Sequence, residues 1–199
     1  MDFIKSKTRE NLARAFAAEC QDGARYQFIA KAAVSEGFSF ISDTLKQLAK
    51  NEMAHASRLY SLMLKYIAGT KEDNVPIEAG YPFEPPELKM SLQTSAEIEL
   101  YEAKNIYPAF AKVAKDEGFP EIAEAFTLIA KVEEQHNQTL QALATMYKEK
   151  TLYKDKEKVM WKCSNCGHSN TNKSAWETCP LCGYPQGYVM VPQSKLQQN

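Results

Sequence analysis

Glu52-Met53-Ala54-His55 recurs 81 residues later as Glu133-Glu134-Gln135-His136, and both copies interrupt stripes that are otherwise apolar. The first stripe runs Ile41, Leu45, Leu48, Glu52, His55, Leu59, Leu62, Tyr66 at helical spacing. The second runs Ile122, Phe126, Ile129, Glu133, His136, Leu140, Leu143, Tyr147. Residues three and four apart share a helix face, so each Glu and its His point the same way, toward the core. Burying an unpaired carboxylate costs several kcal/mol. A chain with this pattern must fold so that something offsets the buried acid.

Two further stripes carry acid as well. Residues 6–36 align Leu12, Phe16, Glu19, Gly23, Tyr26, Ala30 and Ala33. Residues 91–117 align Leu92, Ser95, Glu99, Glu102, Ile106, Ala109 and Val113. Glu36-Gly37 and Glu117-Gly118 are stop signals. The spacing predicts four helices, over about 6–36, 39–68, 91–117 and 120–149. Residues 69–90 hold Gly69, Pro76, Gly80, Pro82, Pro85 and Pro86 and read as a linker. Short turns at 37 and 118 make two antiparallel pairs. A helix of this length is roughly 45 Å long, and an extended linker of this length reaches up to about 70 Å. The expected fold is therefore all-α, a four-helix bundle with one long crossover.

The two hairpins are copies of one unit at an offset of 81. Glu36-Gly37-Phe38 returns as Glu117-Gly118-Phe119, Tyr26 as Tyr107, Ile41 as Ile122 and Leu59 as Leu140. The register slips near Glu19, which falls opposite Leu100, one position from Glu99.

Counted from the turn glycines, Glu19, Glu52, Glu99, Glu102 and Glu133 reach a similar depth in the bundle. A solvated face does not explain acid at matched depth on four apolar stripes, with two of the three histidines beside it. Five carboxylates and two imidazoles share a core when cations offset their repulsion; two divalent ions nearly do so, and one does not. Oxygen ligands with some imidazole suit iron or manganese. One Glu-bearing helix pair joined to a Glu-x-x-His pair is the dinuclear carboxylate pattern of ferritin-like bundles. Tyr26 and Tyr107 lie about two turns from Glu19 and Glu99, and read either as core aromatics or as hydrogen-bond partners of the carboxylates.

From about Val159 onward Cys, Gly, Asn and Trp replace Ala, Leu and Glu. Cys163-x2-Cys166 and Cys179-x2-Cys182, each followed by Gly, form a four-thiolate metal site. Zinc or iron would suit it. Trp161, Trp176, Tyr184 and Tyr188 supply packing for a module too small to fold without a metal. Cys20 reads as a small inert helix residue and His168 as a surface loop residue. The charges nearly cancel, 24 Lys+Arg against 25 Asp+Glu, which argues against a general binder of nucleic acid or anionic membrane. The N-terminal segment has no signal-peptide character and no run approaches a membrane span. A cytoplasmic location is expected, where disulfides are rare and thiols are free for metal.

These motifs together resemble the rubrerythrins over roughly residues 6–191: Ala18-Glu19, Glu52-Met-Ala-His55, Glu99-Leu-Tyr-Glu102 with Ile106-Tyr107-Pro108, Glu133-Glu-Gln-His136, and the two cysteine knuckles. The resemblance implies a ferritin-like diiron bundle over 1–150 and a rubredoxin-like domain over 151–199. It implies that Glu52 and Glu133 bridge two irons, that Glu19 and Glu102 complete one, and that Glu99 and His136 complete the other. On reduction the first iron would exchange Glu102 for His55. These seven residues are then both the metal ligands and the catalytic residues, with Tyr26 and Tyr107 hydrogen-bonded behind them. Cys163, Cys166, Cys179 and Cys182 would hold one further iron that relays electrons. The implied activity is reduction of hydrogen peroxide to water in oxidative-stress protection. Electrons would come from a redox donor protein, a rubredoxin or a reductase. The implied assembly is a homodimer in which one subunit's rubredoxin-like domain serves the other's diiron site. A ferritin-like iron oxidase or oxygen scavenger would use the same ligands, and a zinc-knuckle binding protein is a non-enzymatic third reading. Gly183-Tyr184-Pro185 departs from many relatives, which carry a His after the second knuckle.

Overall fold

A computed structural model describes residues 2–71, 73–83, 85 and 87–196. Glu72, Glu84 and Pro86 of the expected linker lie outside the described residues, as do Met1 and residues 197–199 at the outer ends of the expected domains. Helix α1 spans Lys7–Ser35, α2 Ser39–Ile67, α3 Leu88–Tyr101, α4 Tyr107–Asp116 and α5 Pro120–Glu149. A π-helical turn, Glu102–Ile106, joins α3 to α4. The four rods of the bundle are α1, α2, α3 with α4, and α5. The third rod starts at Leu88, earlier than its stripe predicts, because Leu88 is buried beside Leu92. Among the described residues, no helix is long and apolar enough to cross a membrane.

The two hairpin turns are built alike. Gly37 and Gly118 take φ of 85° and 88°, a conformation costly for residues with a Cβ. Phe38 N donates to Ala33 O and Gly37 N to Val34 O; Phe119 N donates to Ala114 O and Gly118 N to Lys115 O. These paired bonds close the helix ends. The second hairpin also caps the first. The Glu117 carboxylate accepts from Lys7 N at 3.0 Å and Thr8 N at 2.8 Å, at the start of α1.

The apolar core is split in two. One half gathers Tyr26, Ile41, Leu45, Leu92, Leu140 and Leu143 near the Gly37 end. The other gathers Leu12, Leu59, Leu62, Tyr107, Ile122 and Phe126 near the Gly118 end. The buried acids lie in the layer between.

The π-turn corrects the stripe expected for residues 91–117. Beyond Glu102 the buried positions are Ala103, Tyr107 and Ala114, while Ala109 is exposed and Ile106 and Val113 are only half-buried. A π-turn adds one residue to a helical turn, so every later side chain is set back by one position. This added residue explains the slip in the repeat. Tyr26 and Tyr107 are 81 apart, whereas Glu19 and Glu99 are 80 apart, and the π-turn lies between Glu99 and Tyr107.

The C-terminal segment adds a small sheet to the helical fold. Strand β1 spans Lys154–Cys163, β2 Ser169–Ser174 and β3 Val189–Met190, in the order β2-β1-β3 with antiparallel pairing. Trp161 is fully buried against Ala175 and Val189, and its Nε1 donates to Asn172 O at 3.0 Å. His168 is half-buried rather than a plain surface residue, with its ring 5.0 Å from that of Trp176. The last short helix, α6 (Gln193–Leu196), returns to the bundle, where Val191 and Leu196 join the core near the Gly37 end.

Candidate metal centres

Four rods bring their acids to one layer. Glu19 comes from α1, Glu52 and His55 from α2, Glu99 from α3, and Glu133 and His136 from α5. They form two four-residue sets whose candidate ligand atoms lie within 4.8 Å of one another. One set is Glu19, Glu52, His55 and Glu133; the other is Glu52, Glu99, Glu133 and His136. Glu52 and Glu133 belong to both.

The imidazoles turn Nδ1 inward. His55 Nδ1 stands 3.2 Å from Glu19 Oε2, 3.2 Å from Glu52 Oε2 and 3.1 Å from Glu133 Oε1. His136 Nδ1 stands 3.0 Å from Glu52 Oε1 and 2.7 Å from Glu133 Oε2. Tyr26 donates its phenol hydrogen to Glu99, and Tyr107 donates to Glu19. The pairing is reciprocal: each hairpin's tyrosine holds the other hairpin's glutamate. Of the two sequence readings, the tyrosines follow the second and bond the carboxylates.

Without metal, the layer is electrostatically strained. Burial pushes Glu19 well above the usual carboxylate range and Glu99 up to about 8. Burial also opposes ionisation of Glu52, but the adjacent His136 and His55 imidazoles outweigh it and hold its carboxyl at about 2. Burial disfavours the charged imidazoles too, yet the surrounding glutamates win and raise both to about 12.

Glu102 stands outside both sets. It opens the π-turn and lines a cavity of about 550 Å³ with Asp22, Arg25 and Tyr81, under the crossover. Burial, then the charges of Asp22 and Glu99, push it up to about 10. Asp22 is a buried acid that the stripe reading did not single out. It pairs with Arg25 at 2.6 Å, and burial raises it to about 7. Its position one turn after Glu19 was its only signal. Cys20 is half-buried, and burial and the neighbouring Glu19 raise its thiol, which fits an inert residue.

The donor atoms fit cations. Glu52 Oε1, Glu99 Oε2, both Glu133 oxygens and His136 Nδ1 are buried and crowd one another at ion-pair distance without an aligned hydrogen bond. Buried polar atoms without partners are rare in folded proteins. Here they converge on two shared centres, the arrangement that two hard divalent ions satisfy.

The four cysteines form the second centre. The two knuckles repeat one backbone pattern: Cys163 N donates to His168 O and Gly167 N to Cys163 O, while Cys179 N donates to Tyr184 O and Gly183 N to Cys179 O. Cys163 and Cys182 sulfurs are 3.8 Å apart, and Cys166 and Cys179 sulfurs 3.7 Å. A tetrahedron of thiolates about 2.3 Å from its ion has edges of about 3.8 Å. The set thus has the dimensions of a single tetrahedral iron or zinc site.

Comparison with known proteins agrees with both centres. The rubrerythrin family model matches residues 10–144, and the model of the rubrerythrin rubredoxin-like domain matches residues 161–188. The rubrerythrin of Clostridium perfringens (strain 13 / Type A) is 41% identical over 187 residues, covering 94% of each chain. That of Nitratidesulfovibrio vulgaris is 34% identical, covering 92% of this chain and 93% of the relative. The solved structure of nigerythrin in its fully reduced, all-ferrous state aligns with a TM-score of 0.61 at 26% identity, covering 96% and 94% of the two chains. The Glu/His layer therefore corresponds to a diiron site and the four cysteines to a rubredoxin-like site.

Proposed function

The chain belongs to the rubrerythrin family, whose members are generally oxidoreductases, and we propose that it reduces hydrogen peroxide to water with electrons passed through the four-cysteine iron. The observation that carries this reading is the sharing of Glu52 and Glu133 between two ligand sets that each also hold one imidazole. In this reading Glu52 and Glu133 would serve both irons, Glu19 with Glu102 or His55 would hold the first, and Glu99 with His136 would hold the second. Two ferrous ions, when bound, supply two electrons together to the O–O bond, so that peroxide with two protons yields two waters.

The chain's own part is to hold and to exchange. Tyr107 and Tyr26 fix the rotation of Glu19 and Glu99 by hydrogen bonds from across the bundle. His55 reaches the first set while Glu102 stands off it. This supports an exchange between a charged and a neutral side chain as the site changes oxidation state. The low-dielectric layer between two apolar cores strengthens each of these interactions.

The rubredoxin-like domain refills the site one electron at a time. It touches the bundle at the Gly37 turn, where a Cβ on Gly187 would lie 1.8 Å from Gly37 O. That turn is 18 residues from Glu19, or roughly 27 Å along α1. So long a path within one chain supports a homodimer in which one subunit's four-cysteine iron serves the partner's diiron site. A redox donor protein supplies the electrons. We assign residues 1–150 to the diiron bundle and 151–199 to the rubredoxin-like domain.

Anaerobically reduced protein mixed with peroxide, and separately with air-saturated buffer, tests the activity. Faster reoxidation by peroxide is expected. Much faster reoxidation by oxygen would overturn the reading in favour of an iron oxidase or oxygen scavenger.

A further inference from the structure

His55 and His136 are related by the repeat, yet the chain holds them differently. Both turn Nδ1 to the carboxylates. Their outer nitrogens differ. His55 Nε2 has no hydrogen-bond partner among the described residues, and the ring lines an opening between α2 and α5 with Arg58, Glu121 and Leu128. His136 Nε2 stands 3.2 Å from the side-chain amide of Asn51. The other end of that amide is 3.0 Å from the amide of Gln47, one turn earlier on α2. Gln47 is exposed. A hydrogen-bond chain therefore runs from solvent through Gln47 and Asn51 to one imidazole and not to the other.

An imidazole that binds an ion through Nδ1 carries its hydrogen on Nε2, and that hydrogen needs an acceptor. The amide nitrogen of Asn51 cannot accept it, but the amide oxygen can, and the two exchange places by a half-turn of the side chain. The half-turn points Asn51 Nδ2 at Gln47, whose own amide turns in step and offers Oε1. Every donor then meets an acceptor. An amide suits this place better than a carboxylate, because it accepts the hydrogen without adding another negative charge to the layer.

We propose that Asn51, backed by Gln47, is the positioning residue that locks His136 to its iron, while His55 is left unlocked and free to exchange. Asn51 Oδ1 accepts the Nε2 hydrogen, sets the ring tautomer and prevents rotation. This rests on the reading of His136 as a ligand.

Zinc-loaded full-length protein tests it, since zinc is diamagnetic and permits nitrogen NMR of the ring. Wild type is expected to show a His136 Nε2–H signal in slow exchange with water. Asn51→Leu is expected to bind one of the two bundle ions about 10–100-fold more weakly and to lose that protected signal. Asn51→Asp, which keeps the acceptor, is expected to restore both. Asn51→Ala is a second acceptor-free variant, and circular dichroism checks the fold of each. The proposal is overturned if both acceptor-free variants bind zinc as wild type does with the same ring signal, or if Asn51→Asp behaves like Asn51→Leu. His136→Ala separates the two levels. If it retains the full zinc complement at wild-type affinity, the ligand reading itself fails. If it loses affinity while Asn51→Leu does not, only the role of Asn51 fails.

Discussion

The phenol of Tyr107, on α4, donates a hydrogen bond to the carboxylate of Glu19, on α1, inside the layer that divides the core. Both groups are buried and neither has water to fall back on. Tyr107→Phe leaves that carboxylate oxygen without its donor, which costs about 1–3 kcal/mol. Urea denaturation of the metal-free variant should show a loss of this size. The same loss is expected for Tyr26→Phe, through Glu99. Two unchanged midpoints would mean that the phenols merely fill space.

Glu52 lies in both ligand sets, so its removal should disable both ions of the bundle at once. Glu52→Ala is expected to lose diiron binding and peroxide turnover while keeping the red colour of the four-cysteine iron. Metal analysis with an anaerobic visible spectrum reads both. Loss of both iron signals together would contradict two independent centres.

Metal-free and metal-loaded protein should respond to pH in opposite directions. Glu99 titrates near 8 and Asp22 near 7 in the fold, against ordinary values of 4.5 and 3.8. The folded chain holds protons there that the unfolded chain releases, so stability falls as pH rises through that range. The imidazoles, raised to about 12 from 6.5, act in the same sense: their contribution is full below 6.5 and is lost toward 12. Glu52 acts oppositely, losing its contribution only as pH falls from 4.5 toward 2. Metal-free protein should therefore melt at a lower temperature at pH 8 than at pH 6. Ion binding expels these protons and tightens as pH rises, so the loaded protein should gain stability over the same interval. Thermal melts at the two pH values, with and without metal, decide this. A rise for the metal-free form would refute the assignment.

Gly187 has no room for a side chain, because its neighbour is the Gly37 backbone rather than a movable group. Gly187→Ala must push the rubredoxin-like domain off the bundle end or distort the turn. Overpacking of this kind costs about 1–3 kcal/mol. Faster hydrogen exchange at Gly37–Ser39, with the visible spectrum of the four-cysteine iron intact, is the expected signature.

The sequence made some of this molecule plain and hid the rest for physical reasons. Helices α1, α2 and α5 were legible because glycine stops bound stripes of unbroken period, and the acids stood out against apolar neighbours. The π-turn was hidden because Glu99, Glu102, Ile106, Ala109 and Val113 also satisfy a regular helix. Its trace was the one-residue slip between Glu19 and Glu99. Strand β2 was hidden because Ser169–Ser174 is polar and exposed throughout and has no alternation to read. Asn51 was hidden because a polar residue beside a core position ordinarily faces water; only the approach of α5 brings His136 to it.

The added residue at Glu102–Ile106 has a consequence for the chemistry. Two perfect copies of one hairpin would make a centre with halves related by a two-fold rotation, equivalent in their surroundings. The π-turn breaks that equivalence. It leaves Glu102 beside Asp22, outside both ligand sets, and lets Tyr107 still meet Glu19. A centre with distinguishable halves has a direction, which is what the proposed exchange of Glu102 for His55 at one ion requires.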